Sequence, residues 1–288
     1  MIQRIQIVLE MIKFEHTVFA LPFAFIGMLL AAGGWPSPRT LVWIVVAMVG
    51  ARSAAMAWNR LVDLKFDAQN PRTANRALPK GLLQRKFVIG FVLVNLGLFF
   101  LAAWKLHPLC FKLAPLAILI LLGYSYTKRF TWASHAFLGL ALAGAPLGAW
   151  IAVRGSIETT PLLLGAVVLC WVAGFDLLYA LQDEAFDRKV GLYSFPARFG
   201  TRSTLVASAL LHAMTLFGLV LLPFVSPVAL GGFYWLGVFG CAALLVYQHS
   251  VVRPGDLSRL NQAFFTANGA LSLWLFFNLA LDLAVPGT

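Results

Sequence analysis

The sequence carries very little charge. Only 11% of its 288 residues are charged, where soluble domains carry about 25%. That excludes a water-soluble fold. Its long apolar stretches do not alternate with polar residues, which excludes a membrane barrel. With no water in the bilayer core the backbone must bond internally, so helices of roughly 20 apolar residues remain. Cysteine is scarce: Cys110, Cys170 and Cys241 stand far apart inside apolar stretches. They provide neither a disulfide framework nor metal-ligand spacing. Long polar loops are lacking too, so no separate soluble domain is expected.

What is present is 60% hydrophobic residues. They fall into nine expected spans, at 17–34, 40–59, 87–104, 108–126, 134–153, 160–181, 204–224, 228–248 and 262–284. The expectation is an all-α, polytopic transmembrane bundle of nine helices forming one domain over 1–288. The amphipathic N-terminal stretch leads into a series of spans, unlike a cleaved signal peptide. A net charge of +11 would point to nucleic acid were it not for its placement. Of 22 Lys and Arg, 17 fall on one side of the expected membrane, four on the other, and Arg52 lies within a span. This positive-inside bias puts the N-terminus and the loops after even-numbered spans in the cytoplasm.

Acidic residues number only eleven, and six of them lie in two short segments. The first is Asp63-Leu64-Lys65-Phe66-Asp67, at the end of the second span. The second runs from Asp176 to Asp187 at the end of the sixth span, and closes with Asp183-Glu184-Ala185-Phe186-Asp187. The two align as D-L-K-F-D against D-E-A-F-D, and Asn59 falls opposite Tyr179. A weak internal repeat follows, with one helix-plus-motif unit around 40–86 and another around 160–202. Residues four apart share a helix face, so Asp63 pairs with Asp67 and Asp183 with Asp187. Both faces extend inward, to Arg52 and Asn59 in one unit and Asp176 in the other. Both motifs should open at one cytoplasm-facing mouth. Two facing carboxylate pairs suit Mg²⁺, a hard cation that binds carboxylates together with substrate phosphates. Metals held there would neutralise a diphosphate leaving group. Arg72 and Arg76, in a turn-rich loop after the first motif, and Lys128, after the fourth span, are natural phosphate contacts. The alternative for each is a purely topological charge. Arg52 and Asp176 either serve the same cavity, with Asp176 accepting a proton or hydrogen bond from a hydroxyl, or form a buried ion pair. Phe14, Phe19, Tyr124, Tyr126 and Tyr179 are candidates to stabilise a cation through their π-faces. His16 either lines the site or sits at the interface.

Several strings together resemble the UbiA superfamily of intramembrane aromatic prenyltransferases: Asn59-x-x-x-Asp63-x-x-x-Asp67, Arg72-x-x-x-Arg76, Tyr126-x-Lys128-Arg129 and Asp183-x-x-x-Asp187. The string from Phe14 to Pro22, and Tyr179-Ala180-Leu181-Gln182-Asp183, resemble the branch of 4-hydroxybenzoate polyprenyltransferases and futalosine-route menaquinone prenyltransferases. The protoheme farnesyltransferase and chlorophyll synthase branches fit less well. The resemblance implies that Asn59, Asp63, Asp67, Asp183 and Asp187 hold Mg²⁺ against a polyprenyl diphosphate. It implies that Arg72, Arg76 and Lys128 bind the diphosphate and that Arg52 lies near the acceptor, while Tyr126, Tyr179 and His16 stay candidate substrate contacts from the residues themselves. Asp176 falls where the family places an acid near the aromatic hydroxy-acid acceptor. The implied setting is ubiquinone or menaquinone biosynthesis in a bacterial-type inner membrane. The rival reading from the residues is a cation-coupled transporter using the paired carboxylates as an ion site. A metal-dependent intramembrane hydrolase is a third, requiring a phosphate-bearing substrate.

Overall fold

The structure is a computed structural model that describes residues 2–14, 17–252, 259–260 and 263–285. Among the described residues it is all-helical. A short amphipathic helix α1 (Ile2–Met11) precedes α2 (Thr17–Ala32) and α3 (Pro38–Val62), which is followed by the short α4 (Leu64–Asp67). Then come α5 (Arg85–Leu106), α6 (Pro108–Thr127), α7 (Ser134–Arg154) and α8 (Thr159–Ala180). A 3₁₀ turn (Leu181–Asp183) joins α8 to α9 (Glu184–Val190). The chain continues through α10 (Phe195–Val225), α11 (Gly232–Val251), a π-turn (Ala263–Ala267) and α12 (Asn268–Ala284).

Seven of the helical segments among the described residues are long and apolar enough to cross a membrane. The two other expected spans fold as α2 and α11. Helix α2 has only 16 residues. Glycines, Tyr234 and Trp235, and the terminal Gln248 and His249 dilute the apolar character of α11. Side chains such as Phe224, Phe239 and Leu119 stand outward and largely exposed, as a lipid-facing surface requires.

Local sequence explains the helix starts. Ser37 and Ser194 each accept a backbone N–H three residues on, and Pro38 stands at the first helical position of α3 and Pro196 at the second of α10. Proline costs nothing there, because that N–H has no helical partner. Lipid tails are as apolar as leucine, so helices in a membrane associate through close packing of small residues. A Cβ built on Gly27 of α2 would lie 2.5 Å from the Pro146 carbonyl oxygen of α7. One on Gly139 of α7 would lie 2.5 Å from the Leu169 carbonyl oxygen of α8. These two glycines bring α2, α7 and α8 together around a core containing Phe23, Trp150 and Trp171. On the other side α3 packs against α5 and α6. A cavity of about 480 Å³ remains between these two groups.

Candidate active site

Both acidic motifs sit where a helix breaks. Helix α3 stops at Asp63 (φ −89°, ψ 1°), and the chain resumes as α4. Asp183 (φ −103°, ψ 1°), the last residue of the 3₁₀ turn after α8, precedes α9 in almost the same conformation. The two motifs therefore share a backbone geometry as well as a residue pattern. Each is a helix interrupted at its first aspartate, not the continuous helix that the four-residue spacing suggests. The turn itself survives, since Asp67 N–H still donates to the Asp63 carbonyl at 2.8 Å.

All four aspartates line the mouth of the cavity, and each has its own cation. Arg76 Nη1 donates to both oxygens of Asp67, at 2.7 and 2.8 Å. Arg72 grips Asp183 in a fork, Nε to Oδ1 at 2.9 Å and Nη2 to Oδ2 at 2.5 Å. Lys128 Nζ stands 3.6 Å from Asp187, and Arg129 Nη2 stands 3.8 Å from Asp63. The loop after the first motif thus reaches across to the second. Asn70 makes this possible: its side-chain oxygen accepts the Arg72 N–H at 3.0 Å, while its amide donates to Asp183 at 3.0 Å. Thr73 ties the same loop back to the Asp67 carbonyl.

The charges are balanced unevenly. Burial and the neighbouring Asp67 push the Asp63 carboxyl up to about 6. Burial opposes the Lys128 charge, but Asp187, Asp176, Asp183 and Asp63 outweigh it and hold the ammonium above its usual range. Burial likewise opposes the Arg72 charge, and its hydrogen bonds to Asp183 overcome that. Asp187 Oδ2 is buried and accepts no hydrogen bond among the described residues.

Deeper in the cavity, Asn59 donates to Asp63 Oδ2 at 2.8 Å and accepts from Arg60. Arg52 lines the wall and donates to the Lys13 carbonyl, tying α3 to the chain after α1. Asp176 also lines the wall, and its partner is His135 of α7, at 2.6 Å. Tyr179 lies under the Arg72 guanidinium, 5.5 Å from it, and stacks on Phe264 at 4.3 Å. Phe19, Phe175 and Phe264 continue this aromatic wall. Beyond it, small residues such as Ala51, Ala117, Gly144 and Gly148 line an apolar interior.

The structure brings Asn59, Asp63, Asp67, Arg72, Arg76, Lys128, Asp176, Tyr179, Asp183, Asp187 and Arg52 to one cavity. Tyr126 is a correction. It does not line the cavity and is 38% exposed, with its ring against Trp58 and Arg129. Helical rotation is the reason: Tyr124, Ser125 and Lys128 occupy the inner face of α6, and position 126 turns away. Phe14 is exposed and outside the lining as well. His16 lies outside the described residues. Sequence reasoning missed Asn70, Arg129, Ser125, Arg60, Phe175, Phe264 and His135. Asn70, within an Asn-Pro turn, and Arg129, beside Lys128, had some sequence signal. The others had none.

The comparisons with known proteins decide the family. The model described as "UbiA prenyltransferase family" matches residues 20–276.

The chain belongs to the UbiA prenyltransferase family.

The enzyme is 31% identical over 241 residues to a 4-hydroxybenzoate octaprenyltransferase of Aliivibrio fischeri, covering 84% of this chain and 83% of the relative. Its fold superposes on the apo structure of a UbiA homolog from Aeropyrum pernix K1 with a TM-score of 0.84 at 30% identity, covering 93% of this chain and 98% of that one. A UbiA homolog from Archaeoglobus fulgidus bound to DMAPP and Mg²⁺ shares the fold, with a TM-score of 0.73 at 18% identity, covering 97% and 99%. The protein is a prenyltransferase of the membrane. The transporter reading finds no support among these relatives.

Proposed function

We propose that the enzyme carries out Mg²⁺-dependent transfer of a polyprenyl group from its diphosphate to an aromatic hydroxy acid, 4-hydroxybenzoate or a dihydroxynaphthoate, in ubiquinone or menaquinone biosynthesis. The observation that carries this reading is the arrangement of four carboxylates, each facing its own cation, at the mouth of an apolar cavity. The curated relatives named as 4-hydroxybenzoate octaprenyltransferases support both the acceptor class and a long prenyl chain.

The donor set fits Mg²⁺. It consists of hard carboxylate oxygens, including the buried Asp187 Oδ2 that accepts no hydrogen bond among the described residues. Asp63, Asp67, Asp183 and Asp187, with the Asn59 amide oxygen, would hold the metal. When bound there, Mg²⁺ neutralises charge on the departing diphosphate. Arg72, Arg76 and Lys128 are already charged and oriented by the aspartates, and would exchange part of those contacts for diphosphate oxygens. The apolar walls keep water from the reacting carbon. The bond from prenyl C1 to the diphosphate oxygen breaks, and its electron pair leaves with the diphosphate. Tyr179 and the neighbouring phenylalanines present ring faces to the resulting allylic cation. An aromatic carbon beside the acceptor hydroxyl forms the new bond to C1, and its proton passes to Asp176. The prenyl tail leaves the cavity sideways into lipid.

The same reading places the mouth in the cytoplasm of a bacterial-type inner membrane, with the N-terminus inside. Helices α2 and α11 then complete nine spans, and the two broken-helix motifs belong to a pseudo-repeat within one domain. The test is to incubate membranes containing the enzyme with Mg²⁺, labelled polyprenyl diphosphate and a panel of hydroxybenzoates and dihydroxynaphthoates. Prenylated product with one acceptor class is expected, and Asp63→Asn or Asp183→Asn should abolish it at unchanged abundance. Product formation that survives both substitutions would sink the metal assignment.

A further inference from the structure

Among the described residues, Asp176 is the one cavity carboxylate whose partner is not a lysine or arginine. It lies on α8 seven residues before Asp183, about 10 Å away along the helical stretch at roughly 1.5 Å per residue. Its Oδ2 is 2.6 Å from His135 Nδ1. The Asp176 side chain is 23% exposed, whereas that of His135 is 3% exposed. His135 Nε2 is buried with no partner among the described residues. A carboxylate only accepts hydrogen bonds, so the shared proton resides on Nδ1. The imidazole N–H is thereby fixed on Asp176.

This contact has a directional consequence. Asp176 lies within electrostatic reach of the Lys128 ammonium at the mouth. A free carboxylate there would be drawn towards that cation and away from the deep cavity. His135 is placed to resist this, because α7 and α8 are locked together where Gly139 meets the Leu169 carbonyl. One Asp176 oxygen is anchored, and the other has no bond among the described residues and belongs to the cavity wall. Next in the chain, Ser134 lines the same cavity with a buried hydroxyl that is also unpaired among the described residues. Two polar groups of the cavity wall are thus left for a ligand.

We propose that His135 is a positioning residue for the acceptor half of the reaction: it holds Asp176 away from Lys128 so that Oδ1 receives the proton displaced from the aromatic ring. The proposal rests on the prenyltransfer reading above. The experiment compares wild type, His135→Leu and His135→Asn, whose amide N–H replaces Nδ1–H. It follows prenylated product, prenyl alcohol and diphosphate release while each substrate is varied in turn. His135→Leu should lower product turnover by about ten- to hundredfold, as for one charge-assisted hydrogen bond. It should raise the share of prenyl alcohol and leave KM for polyprenyl diphosphate unchanged. His135→Asn should restore most of the coupling. If His135→Leu matches wild type, the proposal fails while the functional reading stands. If both variants lose product and alcohol in parallel, His135 only packs, and the proposal fails again. Wild type that makes no product with any acceptor overturns the functional reading and this proposal with it.

Discussion

Arg72 is the sharpest place to perturb the site, because its side chain connects the two acidic motifs. Its fork holds both oxygens of Asp183, and its Nη1 donates to the Tyr179 hydroxyl at 3.4 Å. Arg72→Ala leaves Asp183 with the Asn70 amide as its remaining direct hydrogen-bond donor among the described residues. Removing one partner of a buried ion pair costs about 3–5 kcal/mol. The Arg72 side chain is 30% exposed, and water screens part of that, so about 2–3 kcal/mol is the reasoned loss. The Arg72 contact proposed for the diphosphate is a charge-assisted hydrogen bond of similar size, and at about 1.4 kcal/mol per decade its loss predicts a fall of roughly 30- to 150-fold in kcat/KM for polyprenyl diphosphate. Arg72→Lys keeps the charge but loses the fork, because an ammonium is a point charge. It should recover only part of the loss. The assay is initial-rate prenylation with the diphosphate varied at saturating Mg²⁺ and acceptor, with membrane abundance checked in parallel. Two results refute the reasoning: Arg72→Ala within about threefold of wild type, or Arg72→Lys indistinguishable from it. The first would mean that the fork is incidental, the second that charge alone suffices.

Three further outcomes are expected. Asp63 is pushed up to about 6, so Mg²⁺ must displace its proton at lower pH. The Mg²⁺ affinity, read by direct binding and not by turnover, should therefore fall as pH drops below about 6 and level off above it, and Asp63→Asn should flatten that dependence; a wild-type binding titration flat from about pH 5 to about pH 8 contradicts it. Tyr126→Ala should leave prenylation within about twofold of wild type, since this ring faces away from the cavity and surface changes are usually small; a loss of an order of magnitude would restore Tyr126 to the site. Gly139→Leu should destabilise the bundle by several kcal/mol, roughly as overpacking or worse, because its Cβ would lie 2.5 Å from the Leu169 carbonyl oxygen; unchanged thermal stability in detergent would show that α7 and α8 can separate at little cost.

The sequence by itself determined the class of fold and the ingredients of the site. Apolar runs of span length leave no structure but membrane helices, whatever the tertiary arrangement. The four-residue spacing put each aspartate pair on a single turn, a local property of the backbone that survives in the Asp67-to-Asp63 hydrogen bond. Asn59, Arg72, Arg76 and Lys128 were legible because they stand within or just beyond elements that end at one face. Tertiary structure decided which cation meets which carboxylate. Arg72 crosses to Asp183 in the other motif, while Arg76, four residues on, returns to Asp67 in its own. It also decided that Tyr124 faces inward and Tyr126 outward, and that the helices break at Asp63 and Asp183. His135 and Asp176 are 41 residues apart in sequence and 2.6 Å apart in space. Periodicity fixes which residues share a face of one helix, but it carries no information about the face packed opposite. That depends on close approaches such as Gly139 against Leu169, which set the rotation and depth of each helix against its neighbour.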